Sequence, residues 1–514
     1  MPFEPWILGA IPIALWAFVF LPNRFCNRHA TWIRWFITSV LGLQCLIASV
    51  GLVQMAVWGR HPLYDKHPIW LYDEISALMT ALVSFIGWNI ARFSLRYLDR
   101  TPDQGKYFRW VGFTLGSVLT MIQAGNLGLF LLAWILASLG LHQLLLFYPD
   151  RPAAQRAAWT KFIISRIGDI AILGAIIVCY TQAGTLHFAT LFDSVTSPSQ
   201  WDRSSLAWAS ILFAVGAITK SAQFPFHTWL PLTMETPTPV SALMHAGVVN
   251  AGGYLMIRMN PIMSLSEGAS LLLVSMGGLT ALLGASIMLT QTSIKKKLAY
   301  STMAQMGFML LQCGLGAYTA AMLHIMAHSL YKAHAFLSSG SVLAQKSSMA
   351  SNFSRPMSPS FFPFAASVLI LTSYTAGLMA WMGHPVTEEP GGALLGLLFC
   401  MGLACWWTMI YSCVDRTLAI LAAIVASLLP PVYVVLFTGI EHYLSPNLHP
   451  VPWHDATLPV CLMLALGFFG LALLQLRWIP MSNAPWLRTI YVHLHNGLYC
   501  ENILRRWIGS LDRC

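Results

Sequence analysis

Lys220, Glu235 and His245 stand inside or at the ends of otherwise apolar segments between Gly216 and Asn260, and Pro225, Pro231, Pro237 and Pro239 fall among them. A charged side chain at the centre of a membrane helix costs about 2.5–3.5 kcal/mol on insertion scales, so such a group belongs in a polar interior or an ion pathway. Proline inside a span frees backbone carbonyls, which are tolerated only where protein or a water-filled cavity receives them. Titratable groups and backbone breaks that coincide point to passage of a proton or another cation. The competing reading is a pair of kinked helices with a snorkelling lysine.

Two further constellations carry the same kind of chemistry. Lys161, Arg166 and Asp169 lie in one apolar segment, and Arg166 and Asp169, three apart, share a helical face suited to pairing. They read either as a structural ion pair between helices or as part of a charged relay. His324, His328 and Lys332 recur in steps of four, with His334 just beyond, which aligns the first three along one stripe as stations for a proton. Histidines four apart also bind zinc in some helices, but this stripe lacks a neighbouring carboxylate or cysteine in sequence. Asp73 and Glu74 open a span and are expected at its aqueous end. No metal-ligand set, nucleotide-binding loop or Ser/His/Asp grouping stands out, so no residue is given a catalytic, cofactor or metal role, and the chain does not read as an enzyme.

The elements that must position these groups are membrane helices. At 57% hydrophobic and 9% charged over 514 residues, the chain cannot cover its apolar surface with a polar shell. Its net charge of +10 does not indicate nucleic-acid binding, because the basic residues sit in short loops between apolar runs. Ten cysteines are scattered without a CxxC pair, against an iron–sulfur site, a zinc knuckle or a disulfide scaffold. The N-terminus lacks a small-residue cleavage site and reads as the first span.

A window of about 20 residues marks about fifteen spans in an all-α, polytopic bundle embedded in the lipid bilayer. They lie at 5–22, 32–58, 69–97, 107–125, 127–148, 159–181, 205–233, 240–258, 268–290, 297–315, 318–345, 361–382, 391–412, 417–441 and 456–478. Loops after odd-numbered spans, with the first turn of the span that follows, hold Arg24, Arg28 and Arg34, then Arg100, Lys106 and Arg109, then Arg151 and Arg156, then Lys346 and Arg355, then Arg416. Lys295, Lys296 and Lys297 follow the ninth, and Arg488, Arg505 and Arg506 the last. The positive-inside rule then sets the N-terminus in the periplasm and the C-terminus in the cytoplasm of a bacterial inner membrane. The division expected is a transmembrane domain over residues 1–480 and a cytoplasmic amphipathic tail over 481–514.

Lys220-Ser221-Ala222-Gln223, the run Pro237-Thr238-Pro239-Val240-Ser241-Ala242-Leu243-Met244-His245-Ala246, and Lys297 to Met303 together carry a family resemblance. The chain resembles the antiporter-like subunits of respiratory complex I and of Mrp-type cation/proton antiporters, well over Leu71 to Gln345 and weakly near the C-terminus. Within that group it looks most like the DabB-type membrane subunits of bacterial inorganic-carbon accumulating (DAB) complexes. The resemblance implies an antiporter-like fold with broken helices and a pseudo-inverted repeat over about 105–440. It also implies a proton path through Lys220, His245, Glu235, Asp169, Arg166, His324, His328 and Lys332. The partner it implies is a soluble, zinc-binding DabA-like subunit on the cytoplasmic side, with zinc there and no cofactor in this chain.

Two departures from the complex I pattern bear on function. Trp134 is followed by Ile135 where that family carries a membrane glutamate, and Phe361 to Met382 has neither lysine nor acid. Tyr374 and, just outside, His384 are the titratable groups there, and Pro430-Pro431 is expected to break another helix and offer a different outlet. Three readings stay open: a subunit that couples H⁺ or Na⁺ flux to CO2-to-bicarbonate conversion by the partner, a proton-translocating subunit of a complex I-like or Mrp-type complex, and a scaffold with a vestigial channel. Past the last span, Tyr491, Leu494, Leu498, Ile503 and Trp507 can form an apolar stripe on a tail that docks the partner or lies on the bilayer.

Overall fold

The computed structural model describes residues 5–59, 69–196, 201–340, 361–384, 390–413, 416–449, 453–478, 485–500 and 502. We label the long helices α1 (Pro5–Ala17), α2 (Ala30–Trp58), α3 (Glu74–Tyr97), α4 (Gln104–Ile122), α5 (Leu127–Leu145), α6 (Pro152–Ala183), α7 (Arg203–Lys220), α8 (Thr238–Ala246) and α9 (Ala251–Arg258). Then follow α10 (Glu267–Thr290), α11 (Ile294–Gly314), α12 (Tyr318–Leu337), α13 (Phe361–Trp381), α14 (Pro390–Cys413), α15 (Arg416–Leu444), α16 (Leu458–Trp478) and α17 (Pro485–His495). Helix therefore occupies every segment expected to span, and ten of these segments are long and apolar enough to cross a membrane among the described residues. At 13 residues, α1 falls short of the ~20 that a bilayer demands, although a 3₁₀ turn extends it to Phe20.

Exposed apolar faces confirm the solvent these helices need. On α6, Ile163, Ile167, Ile170, Leu173 and Ile177 form an outward stripe, with Ile170 70% exposed, while Lys161, Ser165 and Asp169 on the opposite face are buried. This is the reverse of a water-soluble amphipathic helix and fits only hydrocarbon outside. Ile420, Ile424, Leu428, Val432 and Val435 form a second exposed apolar stripe on α15.

The chain forms two compact units. The first comprises Met1–Ala269, the His324–Leu337 part of α12 and Tyr443–His449. Its helix starts are fixed by short polar side chains: Asn126 accepts from Leu129 N at 2.8 Å, and Asp73 and Ser76 form a reciprocal capping box at the head of α3. At Gly168 of α6 an added Cβ would lie 2.1 Å from Thr219 Oγ1 of α7, so only glycine lets these two helices come this close. The second unit comprises Ser270–Leu323, Ser338–His442 and Pro450–Cys514. Its core gathers Leu311 of α11, Phe364 and Leu371 of α13, Cys400 and Ala404 of α14, and Cys461 and Leu464 of α16.

Two expectations about helix breaks change. The seventh span, read over 205–233 with its backbone broken at the prolines, stops already at Lys220, five residues before the first of them. Ala222 turns into the left-handed region (φ 50°), and Gln223 N donates to Ile218 O at 3.0 Å, the closing bond of a Schellman-type stop. Conversely, Pro430 and Pro431 do not end α15, which runs through both to Leu444. The pair deprives the Ala426 and Ser427 carbonyls of their donors, but the bonds on either side carry the helix across.

Candidate functional site

Lys220, at the C-terminal end of α7, is buried against α5. Its Nζ donates to the Trp134 carbonyl at 3.4 Å and lies 4.2 Å from the centre of the Trp134 ring. The same indole donates from Nε1 to Asp169 Oδ1 of α6 at 3.1 Å. Asp169 in turn sits 2.7 Å from Arg166. Trp134 thus stands between the lysine and the carboxylate, offering a π face and a carbonyl to the cation and an N–H to the anion. Gly168, by admitting the close approach of α7, brings these three helices to one point.

A second buried cluster surrounds His245. His328 Nε2 lies 3.3 Å from the His245 carbonyl, and the His324 and His328 rings meet edge-on at 5.9 Å. The His245 ring stacks on Phe336 at 4.4 Å, and neither of its nitrogens has a hydrogen-bond partner among the described residues. Lys332 is fully buried on the same helical stripe, whereas His334 is exposed. Asn250 donates to Ser329 Oγ at 2.7 Å, tying the turn before α9 to α12.

Glu235 stands apart from both clusters. It lies in a 3₁₀ turn and pairs with Arg151 at 3.2 Å, with 54% and 45% of the Arg151 and Glu235 side chains exposed. In the second unit, Tyr374 of α13 is exposed, and His384 Nε2 lies 3.0 Å from Glu441.

Asp73 is a correction. Rather than facing water, it is buried and forms a two-pronged ion pair with Arg258 at the end of α9, one arm being Arg258 NH2 to Asp73 Oδ1 at 2.9 Å. Tyr254 accepts from Arg258 Nε at 3.3 Å and donates to the Ile122 carbonyl at 2.8 Å. Glu74 is bound by the Asn447 amide. Arg258 drew no notice in the sequence, yet a signal existed: the alternation of spans puts the start of the third and the end of the eighth on one side of the membrane.

Residues 124–419 match the family model described as NADH:quinone oxidoreductase/Mrp antiporter, TM, and residues 69–108 match NADH-ubiquinone oxidoreductase (complex I), chain 5 N-terminus. A probable inorganic carbon transporter subunit DabB2 of Halothiobacillus neapolitanus is 37% identical over 480 residues, covering 92% of this chain and 82% of that protein. The chain belongs to the NADH:quinone oxidoreductase/Mrp antiporter family and, within it, to the DabB subunits. A probable DabB of Hydrogenovibrio crunogenus is 38% identical over 73% of this chain and 72% of that protein. The antiporter-like fold is also that of a chain in the Mrp complex from Dietzia, with a TM-score of 0.66 at 21% identity, covering 99% of this chain and 60% of that one.

In this DabB-type chain, Ile135 leaves Asp169 as the carboxylate bound to the Trp134 indole. If Asp169 answers Lys220 and Glu235 does not, Asp169→Asn added to Lys220→Met should cost nothing beyond Lys220→Met alone, whereas Glu235→Gln should act independently. Ion flux through single and double variants measures the coupling, expected at about 1–3 kcal/mol for Asp169 with Lys220. Additive losses for that pair would place the counter-charge elsewhere.

Proposed function

We propose that this chain is the proton-conducting membrane subunit of an energy-coupled inorganic-carbon pump, and that proton flux past Lys220 drives CO2-to-bicarbonate conversion on a soluble, zinc-containing DabA-like partner. The observation that carries the reading is the buried lysine of a DabB-type chain held on Trp134 beside Asp169. Lysine ammonium groups repel Na⁺ and offer it no ligand, while they give up and regain protons, which favours H⁺ as the coupling ion. The chemistry belongs to the partner, and this chain is an energy-coupling subunit without a catalytic centre. The orientation that fits has the N-terminus in the periplasm and the C-terminus in the cytoplasm of a bacterial inner membrane. Proton translocation within a complex I-like or Mrp-type assembly is the rival, and Ile135 together with the uncharged α13 speaks against it.

The tail is where the partner should dock. Helix α17 ends at His495, and Gly497, Leu498 and Tyr499 all take positive φ, so Tyr491 and Leu494 do not continue into one helical stripe with Leu498. Ile503 and Trp507 of that stripe lie outside the described residues. His495 Nδ1 lies 2.9 Å from the Thr290 carbonyl and Gln291 donates to His495 O at 3.1 Å, which fixes the end of α17 to the α10–α11 turn. Trp486, Ile490 and Val492 remain exposed. Deleting residues after Asn483 should release the zinc-containing subunit on co-purification and abolish carbon uptake. A partner that stays bound with uptake intact would reduce the tail to a membrane anchor.

A further inference from the structure

The buried lysine that the path above does not use is Lys161, and its surroundings are unlike those of a structural ion pair. It is 2% exposed in the N-terminal third of α6, and its Nζ donates to the carbonyl and to the hydroxyl of Ser138, both at 2.6 Å. No carboxylate lies within salt-bridge distance of it among the described residues. Ser138 is one turn beyond Trp134 on α5, and Lys161 is two turns before Asp169 on α6, so the antiparallel helices meet in rungs. Trp134 bonds Asp169, Ser138 bonds Lys161, and one turn further His142 Nδ1 lies 3.1 Å from the Ala158 carbonyl. His142 is buried between the Trp159 and Phe162 rings. Beyond it, at the same end of the two helices, lies the loop that carries Arg151.

We propose that this seam between α5 and α6 is the proton's way to Lys220, with Lys161 as its carrier and Ser138 as the group that holds the carrier. The inference rests on the proposed proton conduction and adds its route. An ammonium has three N–H donors, and Ser138 accepts two of them. The third N–H is the one that can leave to water. When it does, the neutral amine keeps both bonds to Ser138 and has a lone pair free to take the next proton, so one geometry serves both charge states. The charged groups close enough to influence this exchange are Lys220, Arg166 and Asp169, and the titratable His142 faces it from α5. The seam supplies one carboxylate against three cations there, because Ile135 stands where an acid would otherwise sit. A proton arriving at Lys161 is therefore repelled onward and not trapped in a tight ion pair.

The test uses inside-out membrane vesicles carrying the whole complex, with a pH-sensitive dye reporting flux under an imposed pH gradient. Glutamine at 161 still donates to Ser138 but carries no exchangeable charge. Lys161→Gln should thus lose flux at least about tenfold at wild-type abundance. Full flux in Lys161→Gln makes the lysine a structural link and overturns the inference. If that variant is depleted from the membrane, Ser138→Ala decides: a shifted pH profile of flux supports the carrier, and an unchanged profile overturns it. Lys220→Met in parallel separates the two claims, since full flux there defeats the proposed conduction through Lys220, whatever Lys161 does.

Discussion

Replacing Lys220 with methionine is expected to lower proton flux and carbon uptake on the order of a hundredfold, the usual worth of a positioned proton-transfer group, while membrane abundance stays normal. Methionine fills the lysine's volume with an apolar chain, so the packing among α5, α6 and α7 survives and only the exchangeable charge is lost. Arginine should fail as well. It keeps the charge over the Trp134 ring but does not release a proton at any physiological pH. Flux and abundance read in the same membranes decide the point, and an active methionine variant would take Lys220 out of the mechanism.

The second large effect falls on assembly and not on flux per molecule. Arg258 and Asp73 are both about 3% exposed on their side chains, so truncating one leaves the other buried without its counter-charge. Arg258→Met or Asp73→Ala should each cost about 3–5 kcal/mol, enough to deplete the protein from the membrane. The paired change Asp73→Asn with Arg258→Met removes both charges and should recover part of the abundance. Quantitative immunoblotting of membranes measures this, and a double variant as depleted as Arg258→Met alone would deny that the cost is an orphaned charge.

Much of the architecture was legible because its signal is local. Apolar runs of the right length specify spans wherever they occur, and each received a helix. The proline-rich break after Lys220 was legible too, although its exact point was not: the helix ends at Lys220, closed by the left-handed turn at Ala222, a backbone geometry that residue type alone does not reveal. The site was legible as a set of in-span charges but not as a set of partners. Nothing in the sequence says that one indole would serve both Lys220 and Asp169, that Glu235 would face Arg151 at the surface, or that Ser138 would hold Lys161. These pairings are made between helices, and their register depends on where small residues such as Gly168 allow backbones to touch. The Asp73–Arg258 pair was missed for the same reason, being 185 residues apart in sequence.

Energetics make the coupling sufficient in principle. One charge crossing 100 mV yields about 2.3 kcal/mol, which holds a product roughly fiftyfold above equilibrium. The central claim is that protons supply this energy, and the measurement that meets it most directly is inorganic-carbon accumulation by cells expressing the complex while a protonophore collapses the proton gradient at constant sodium gradient. The account predicts that accumulation falls to the level of cells carrying Lys220→Met. Accumulation that survives the protonophore, or that follows the sodium gradient instead, would contradict it.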